Sequence, residues 1–211
     1  MIESKSLQFN FSARYYKIGN ASASKKIWFV LHGYGQLAKY FIKKFSVLEE
    51  NGICIIAPEG LSKFYTQRNP DRIGATWMTR ENRLVDIDNY ICYLDSVFDQ
   101  VVTNAQEKEI TLFGFSQGAA TASRWAQQGN ICFDRLILWA GIFPPDMHFD
   151  QRKHVFNDKK IIQVYGRTDQ YLNDHVFIEM KEIQTKLNVT PEILVFEGGH
   201  EIHEKTLLDL S

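Results

Sequence analysis

The chain has no apolar run approaching the ~20 residues that a membrane span requires, and its opening residues, Met1-Ile2-Glu3-Ser4-Lys5-Ser6, contain no apolar signal core. Together these absences predict a protein that is neither inserted stably in a membrane nor exported, and therefore cytoplasmic. Charge of one sign is also missing. With 24 Lys+Arg against 25 Asp+Glu, nothing selects nucleic acid or an anionic membrane as a partner. Cysteine is scarce, at three residues, an odd number too widely spaced for a disulfide framework. Cys54, Cys92 and Cys132 read as buried, reduced thiols, as expected in a reducing compartment. No Cys-x-x-Cys or His-rich spacing offers a zinc site. There is no repeat, low-complexity tract or Gly/Ser linker, so residues 1–211 are expected to form one domain.

What is present is an alternation of strand-length apolar runs with helix-length stretches. Residues 26–31, 53–57, 109–115, 134–139, 160–165 and 192–196 read as buried strands. Residues 7–18 alternate polar and apolar and predict a half-exposed strand or hairpin. Helices are predicted over 36–50, 82–107, 171–187 and 201–210. In the longest, Leu84, Ile87, Ile91, Leu94 and Phe98 repeat at spacings of three and four and mark the apolar side. Continuous apolar strands separated by helices imply an α/β protein with a mainly parallel sheet covered on both faces. Two connections, 59–81 and 142–159, are longer than such a fold needs. Both leave the carboxyl ends of strands, where open α/β sheets bind ligands.

The most informative stretch is Gly114-Phe115-Ser116-Gln117-Gly118. The pentapeptide alone is a weak signal. Here it follows a buried strand and opens a helix, a setting that pushes a serine hydroxyl out above the sheet. A serine hydroxyl attacks poorly until a base takes its proton, and the base needs a third group to orient it. Asp169 follows the fifth buried strand in Gly166-Arg167-Thr168-Asp169, and His200 follows the sixth in Gly198-Gly199-His200. The order Ser, Asp, His is that of α/β-hydrolases. Asp174 and Glu197 are rival acids and His203 is a rival base. His148, His154 and His175 lack a strand-terminal setting and are expected to be exposed.

Acyl transfer also needs donors for the developing oxyanion. The Gln117 N–H, at a helix N-terminus, should supply one. The Tyr34 N–H, in the turn His32-Gly33-Tyr34-Gly35, should supply the other. His32 itself reads as a structural hydrogen-bonding residue.

Val30-Leu31-His32-Gly33-Tyr34-Gly35, Gly114-Phe115-Ser116-Gln117-Gly118, Gly166-x-x-Asp169, Gly199-His200 and the Ala75-Thr76-Trp77-Met78 segment together resemble the phospholipase/carboxylesterase family of α/β-hydrolases. That family includes small bacterial carboxylesterases and acyl-protein thioesterases. The resemblance spans about residues 25–205. It implies an α/β-hydrolase fold, a serine nucleophile, a covalent acyl-enzyme and no cofactor or metal, with Asp169 and His200 as acid and base by position. Two motifs depart from the family: Trp77-Met78-Thr79 stands where Trp-Phe-Asp is usual, and Gln36-Leu37 where thioesterases carry an acidic and then a small residue.

The expected substrate is a small-molecule acyl ester of short to medium chain. Longer chains, as for a lysophospholipase or acyl-protein thioesterase, are the rival reading, and an inactive hydrolase-shaped binding module is a rival of another class. Trp77 either lines the acyl pocket or plugs the core edge. Phe64, Tyr65, Phe143 and Phe149 share the two long loops. Lys63, Arg68, Arg72 and Arg80 read as a solvated face rather than a site for an anionic substrate. Homodimerisation is compatible with the sequence, which marks no face for it.

Overall fold

The computed structural model describes residues 1–67, 69–150 and 152–211; Arg68, grouped above with Lys63, Arg72 and Arg80, lies outside them. Among the described residues nine strands form two sheets: β1 (Tyr15–Ile18), β2 (Lys26–Leu31), β3 (Ile53–Pro58), β4 (Ser62–Thr66), β5 (Asn69–Thr76), β6 (Glu109–Phe115), β7 (Arg135–Trp139), β8 (Lys160–Gly166) and β9 (Glu192–Phe196). The main sheet has seven strands in the order β1-β3-β2-β6-β7-β8-β9. Its strands are parallel except β1, which pairs antiparallel with β3. The helices are α1 (Ala38–Phe41), α2 (Arg83–Val101), α3 (Gln117–Gln128), α4 (Asp174–Leu187) and α5 (Glu204–Asp209). Among the described residues none is long and apolar enough to cross a membrane.

The continuous apolar strands are explained by two cores, one on each face. Side chains alternate across a strand, so Ile27, Phe29 and Leu31 of β2 enter one core while Trp28 and Val30 enter the other. The first core takes Ile87, Ile91, Leu94 and Phe98 from α2 and Trp125 from α3. There Phe29 stacks on Phe98 with centroids 5.6 Å apart and meets Trp125 edge-on at 5.3 Å. The second core takes Phe41 from α1, Phe45 and Leu48 from the 3₁₀ helix Ile42–Asn51, and Leu207 from α5. Burying each such side chain contributes about 1.5–3 kcal/mol.

Chain direction reverses around β2. From β2 the chain crosses to β3 on one side, then returns to place β6 on the other. The carboxyl ends of β2 and β6 therefore flank the switch point, where a crevice opens in a sheet of this kind.

Several expected elements change. Only Tyr15–Ile18 of residues 7–18 is a strand, because β3 supplies partners only from Ile55 to Pro58; Leu7, Phe9 and Phe11 are exposed. The helix expected over 36–50 is one α-turn followed by the 3₁₀ segment Ile42–Asn51. The helix expected over 82–107 stops at Val101, and Leu84, assigned to its apolar side, is exposed. The connection 59–81 contains the hairpin β4–β5. The connection 142–159 is pinned to α3: buried Arg124 donates from Nη2 to Asp146 Oδ1 at 2.7 Å, and the His148 N–H donates to Gln127 Oε1 at 2.8 Å. Cys54 is buried as expected, whereas Cys92 and Cys132 are exposed; all three are free thiols.

Candidate active site

Ser116 joins β6 to α3 with φ 54° and ψ −116°. A non-glycine residue held there is strained, and such strain persists only where the surroundings over-determine it. The surroundings are tight. The Ser116 N–H donates to the Trp139 carbonyl at 2.9 Å, and its own carbonyl accepts from the Ala119 N–H at 2.9 Å. A Cβ on Gly114 would fall 2.2 Å from the Gly118 carbonyl oxygen, and one on Gly118 would fall 2.1 Å from that of Leu31. The two glycines thus let the strand, the helix and the end of β2 approach one another. Ser116 remains partly exposed at the sheet's carboxyl edge.

Asp169 lies in the turn after β8, and its carboxylate is fully buried. Oδ1 accepts from the Tyr171 N–H at 3.0 Å, and Oδ2 lies 2.8 Å from His200 Nδ1. With Nδ1–H donating to that carboxylate, Nε2 is left as the ring's acceptor. The imidazole is held between Phe115 (centroids 4.9 Å) and Tyr171 (4.6 Å, edge-on). Since Phe115 precedes Ser116, this packing brings the histidine to the serine turn. The turns carrying Asp169 and His200 are in backbone contact: a Cβ on Gly166 would meet the Gly198 and Gly199 carbonyl oxygens at 2.3 and 2.4 Å. The rivals lie elsewhere. Asp174 is the first residue of α4, whose cap is Asn173. Glu197 pairs with Arg167 at 2.6 Å. His203 caps α5 and stacks on Phe196, so it is partly buried rather than on the surface. His148, His154 and His175 are exposed.

The turn after β2 is held in place by hydrogen bonds from buried and neighbouring groups. His32 is fully buried; its Nε2 accepts from the Gly60 N–H at 3.0 Å, which leaves Nδ1–H to donate to the Gly33 carbonyl at 2.8 Å. Burial pushes its pKa down to about 4, so the ring is neutral and structural, as read from sequence. Gly33 N–H donates to Gln36 Oε1 at 2.8 Å. The hairpin strand β5 completes the support: Gly35 N–H donates to the Ala75 carbonyl at 2.9 Å, and Ala75 N–H to the Gln36 carbonyl at 3.1 Å. Tyr34, between these anchors, is 62% exposed and stacks on Phe64 of β4 at 5.0 Å.

Gln117 occupies the first turn of α3, where backbone N–H groups have no intrahelical acceptor. Its side chain is tied to the end of β5: Oε1 accepts from the Trp77 N–H at 3.2 Å and Nε2 donates to the Met78 carbonyl at 3.1 Å. Trp77 is only 1% exposed, and its Nε1–H donates to the His32 carbonyl at 2.8 Å. Of the two roles open to it, the structure gives it the core plug rather than the pocket wall.

Sequence reading missed the side chains of Gln36 and Gln117, the flanking role of Tyr171 and the hairpin beneath Tyr34. Only the strand-prone Phe64-Tyr65-Thr66 gave a signal for the hairpin. Among the described residues no cluster of three or more metal-ligating side chains occurs.

A parallel sheet sandwiched by helices, with a strained serine on the strand-to-helix turn at its switch point, defines the α/β-hydrolase fold. The model of the phospholipase/carboxylesterase family matches residues 18–211, and the chain belongs to that family. Solved structures agree on the fold. A carboxylesterase from Mesorhizobium loti superposes with a TM-score of 0.72 at 14% identity, covering 99% of this chain and 98% of that one. Acyl-protein thioesterase 2 from Zea mays gives 0.70 at 14% identity, covering 94% and 96%. A phospholipase/carboxylesterase from Dyadobacter fermentans gives 0.69 at 19% identity, covering 97% and 98%. No curated protein sequence matches the chain.

Proposed function

We propose that the protein is a serine carboxylesterase acting on short-to-medium acyl esters. The observation that carries this reading is Ser116 itself, held at positive φ where the carboxyl ends of β2 and β6 open the crevice. His200 takes the proton from Ser116 Oγ as the oxygen attacks the acyl carbonyl. Asp169 fixes the tautomer through Nδ1 and stabilises the imidazolium that forms. The Gln117 and Tyr34 backbone N–H groups stabilise the oxyanion. The imidazolium then protonates the departing alcohol, leaving an acyl-enzyme. Water, deprotonated by the same histidine, releases the acid and restores the serine. Every proton moves between residues of this chain, the substrate and the hydrolytic water, so the cycle calls for no cofactor. The buried Asp169 carboxylate, tied by two hydrogen bonds, supports its role as orienter.

The test is hydrolysis of p-nitrophenyl esters from acetate to palmitate, by the native protein and Ser116→Ala side by side. Activity should peak at short to medium chains and fall by about 10³-fold or more in the variant. Ser116 should also be labelled by a fluorophosphonate. A peak at palmitate would shift the reading to a long-chain thioesterase or lysophospholipase. Absence of both turnover and labelling would leave a binding module.

A further inference from the structure

A cavity of about 700 Å³ opens beside the turn after β2. Its wall includes Gln36 and Tyr40 from the chain after that turn and Asp71, Arg72 and Ile73 from β5. The cavity adjoins the serine turn. The Gln36 side chain meets the Gly33 N–H, and a Cβ built on Gly33 would lie 3.4 Å from Gln36 Oε1, 3.0 Å from Phe115 Cδ1 and 3.3 Å from Ser116 Cβ. The wall of the cavity and the nucleophile thus meet at one glycine.

The charges around this cavity are lopsided in a chain that is nearly neutral. Lys44 and Arg72 line it, against the single carboxylate of Asp71. The Lys39 and Lys43 ammonium groups lie 5.9 and 5.7 Å from the Tyr40 ring centroid, adding positive field along the same wall. Among the described ion pairs neither Lys44 nor Arg72 has a carboxylate partner. Tyr40 and Ile73 give the same wall apolar surface. A concave surface with an apolar wall and cations from two different elements, Lys44 from the 3₁₀ helix and Arg72 from β5, suits a chain that ends in an anion.

Resting on the hydrolase reading above, we propose that the substrate is an ester carrying a second, anionic oxyacid group, a carboxylate or a phosphate, seated between Lys44 and Arg72. The chain joining that group to the ester lies along Tyr40 and Ile73. Arg72 can grip either oxyacid with two parallel N–H donors, while Lys44 acts as a point charge. The class of reaction that supplies such a substrate esterifies one end of a bifunctional acid or an alcohol phosphate.

Two matched pairs of esters test this. The first is p-nitrophenyl hemiglutarate against p-nitrophenyl valerate, with the carboxylate on the acyl side. The second is a monoacylglycerol phosphate against the monoacylglycerol of equal chain length, with the phosphate on the leaving group. The readout is the ratio of kcat/KM within each pair. At low salt the charged member of one pair should be preferred by on the order of tenfold, and the pair showing it identifies the oxyacid. That preference should collapse toward one in Lys44→Gln/Arg72→Gln and shrink as salt is added. Asp71→Asn should increase it. A ratio at or below one in both pairs, or one unchanged by the double substitution, overturns the proposal. Fluorophosphonate labelling of the same samples separates the two readings: labelled protein without a preference removes only the anionic subsite, whereas unlabelled and inactive protein removes the hydrolase reading and this proposal with it.

Discussion

His32 makes the protein acid-sensitive in a calculable way. Its ring has no exposure to solvent, accepts a hydrogen bond at Nε2 and donates one from Nδ1. A second proton would meet the Gly60 N–H head-on and would be buried without an acceptor. Burial therefore lowers the folded-state pKa from an ordinary 6.5 to about 4. The unfolded chain takes up its proton near 6.5, and the folded chain resists until about 4. Unfolding thus binds an extra proton between these limits. The neutral histidine's contribution is complete above the upper limit and is lost as pH falls toward the lower one. The loss runs at about 1.4 kcal/mol per pH unit and totals about 3 kcal/mol. Urea unfolding of the native protein and His32→Gln from about pH 4.5 to 7.5 tests it, because other titrating groups cancel in the difference between the two. The variant starts less stable, and the gap should narrow by about 2–3 kcal/mol as the solution is acidified. A gap that stays constant across the range refutes the account.

Four further outcomes follow from the structure. Trp77→Phe keeps a ring in the core but strands the His32 carbonyl, so it should cost about 1–2 kcal/mol, read as a lower melting temperature. It should also lower kcat more than it raises KM, since the turn it loosens carries a proposed oxyanion donor. Gly118→Ala puts a methyl 2.1 Å from the Leu31 carbonyl oxygen and should abolish activity or folding. Gly199→Ala, whose methyl meets nothing nearer than the Thr168 carbonyl oxygen at 4.0 Å, should shift stability by no more than about 0.5 kcal/mol. Two thiols, Cys92 and Cys132, should react with a disulfide reagent in the folded protein. The third, Cys54, should react only on unfolding, because burial both hides its thiol and raises its pKa.

Sheet strands were legible where burial on both faces left no room for polar residues. Residues 26–31 and 109–115 are continuous apolar runs for that reason, and β2 and β6 match those bounds. The hairpin β4–β5 was hidden because its faces are largely open and its composition is that of a loop. Tyr65 and Ile73 are exposed, and charged residues interrupt both strands. Its place is fixed by contacts remote in sequence, Ala75 against Gly35 and Gln36, which no local pattern encodes. Helix ends shifted for local reasons. Asn173, whose side chain accepts from the Val176 N–H at 3.2 Å, starts α4 three residues later than the apolar pattern suggested. Cys92 and Cys132 were misread because cysteine's usual preference for the interior gave way to their positions on an outer helix face and in the exposed connection between α3 and β7.

The candidate site divides along the same line. Ser116, Asp169 and His200 stood out because side chains proposed to act together in a parallel sheet must each follow a strand at the same edge, and each of the three does. The residues that hold their surroundings still carry no such mark. His32, Gln36, Trp77 and Gln117 each act through one or two hydrogen bonds to main chain, and three of these four span at least 28 residues of sequence. Trp77 shows the consequence most clearly. An aromatic in a long loop beside a nucleophile suggests a pocket wall, yet its indole N–H is spent on the His32 carbonyl and its backbone N–H on Gln117. It therefore links the turn after β2 to the first residue of α3, the two places from which the proposed oxyanion donors come. If those donors act together, their spacing depends on a tryptophan buried in the core. A change there should then damage the rate of acylation well before it alters which ester is bound.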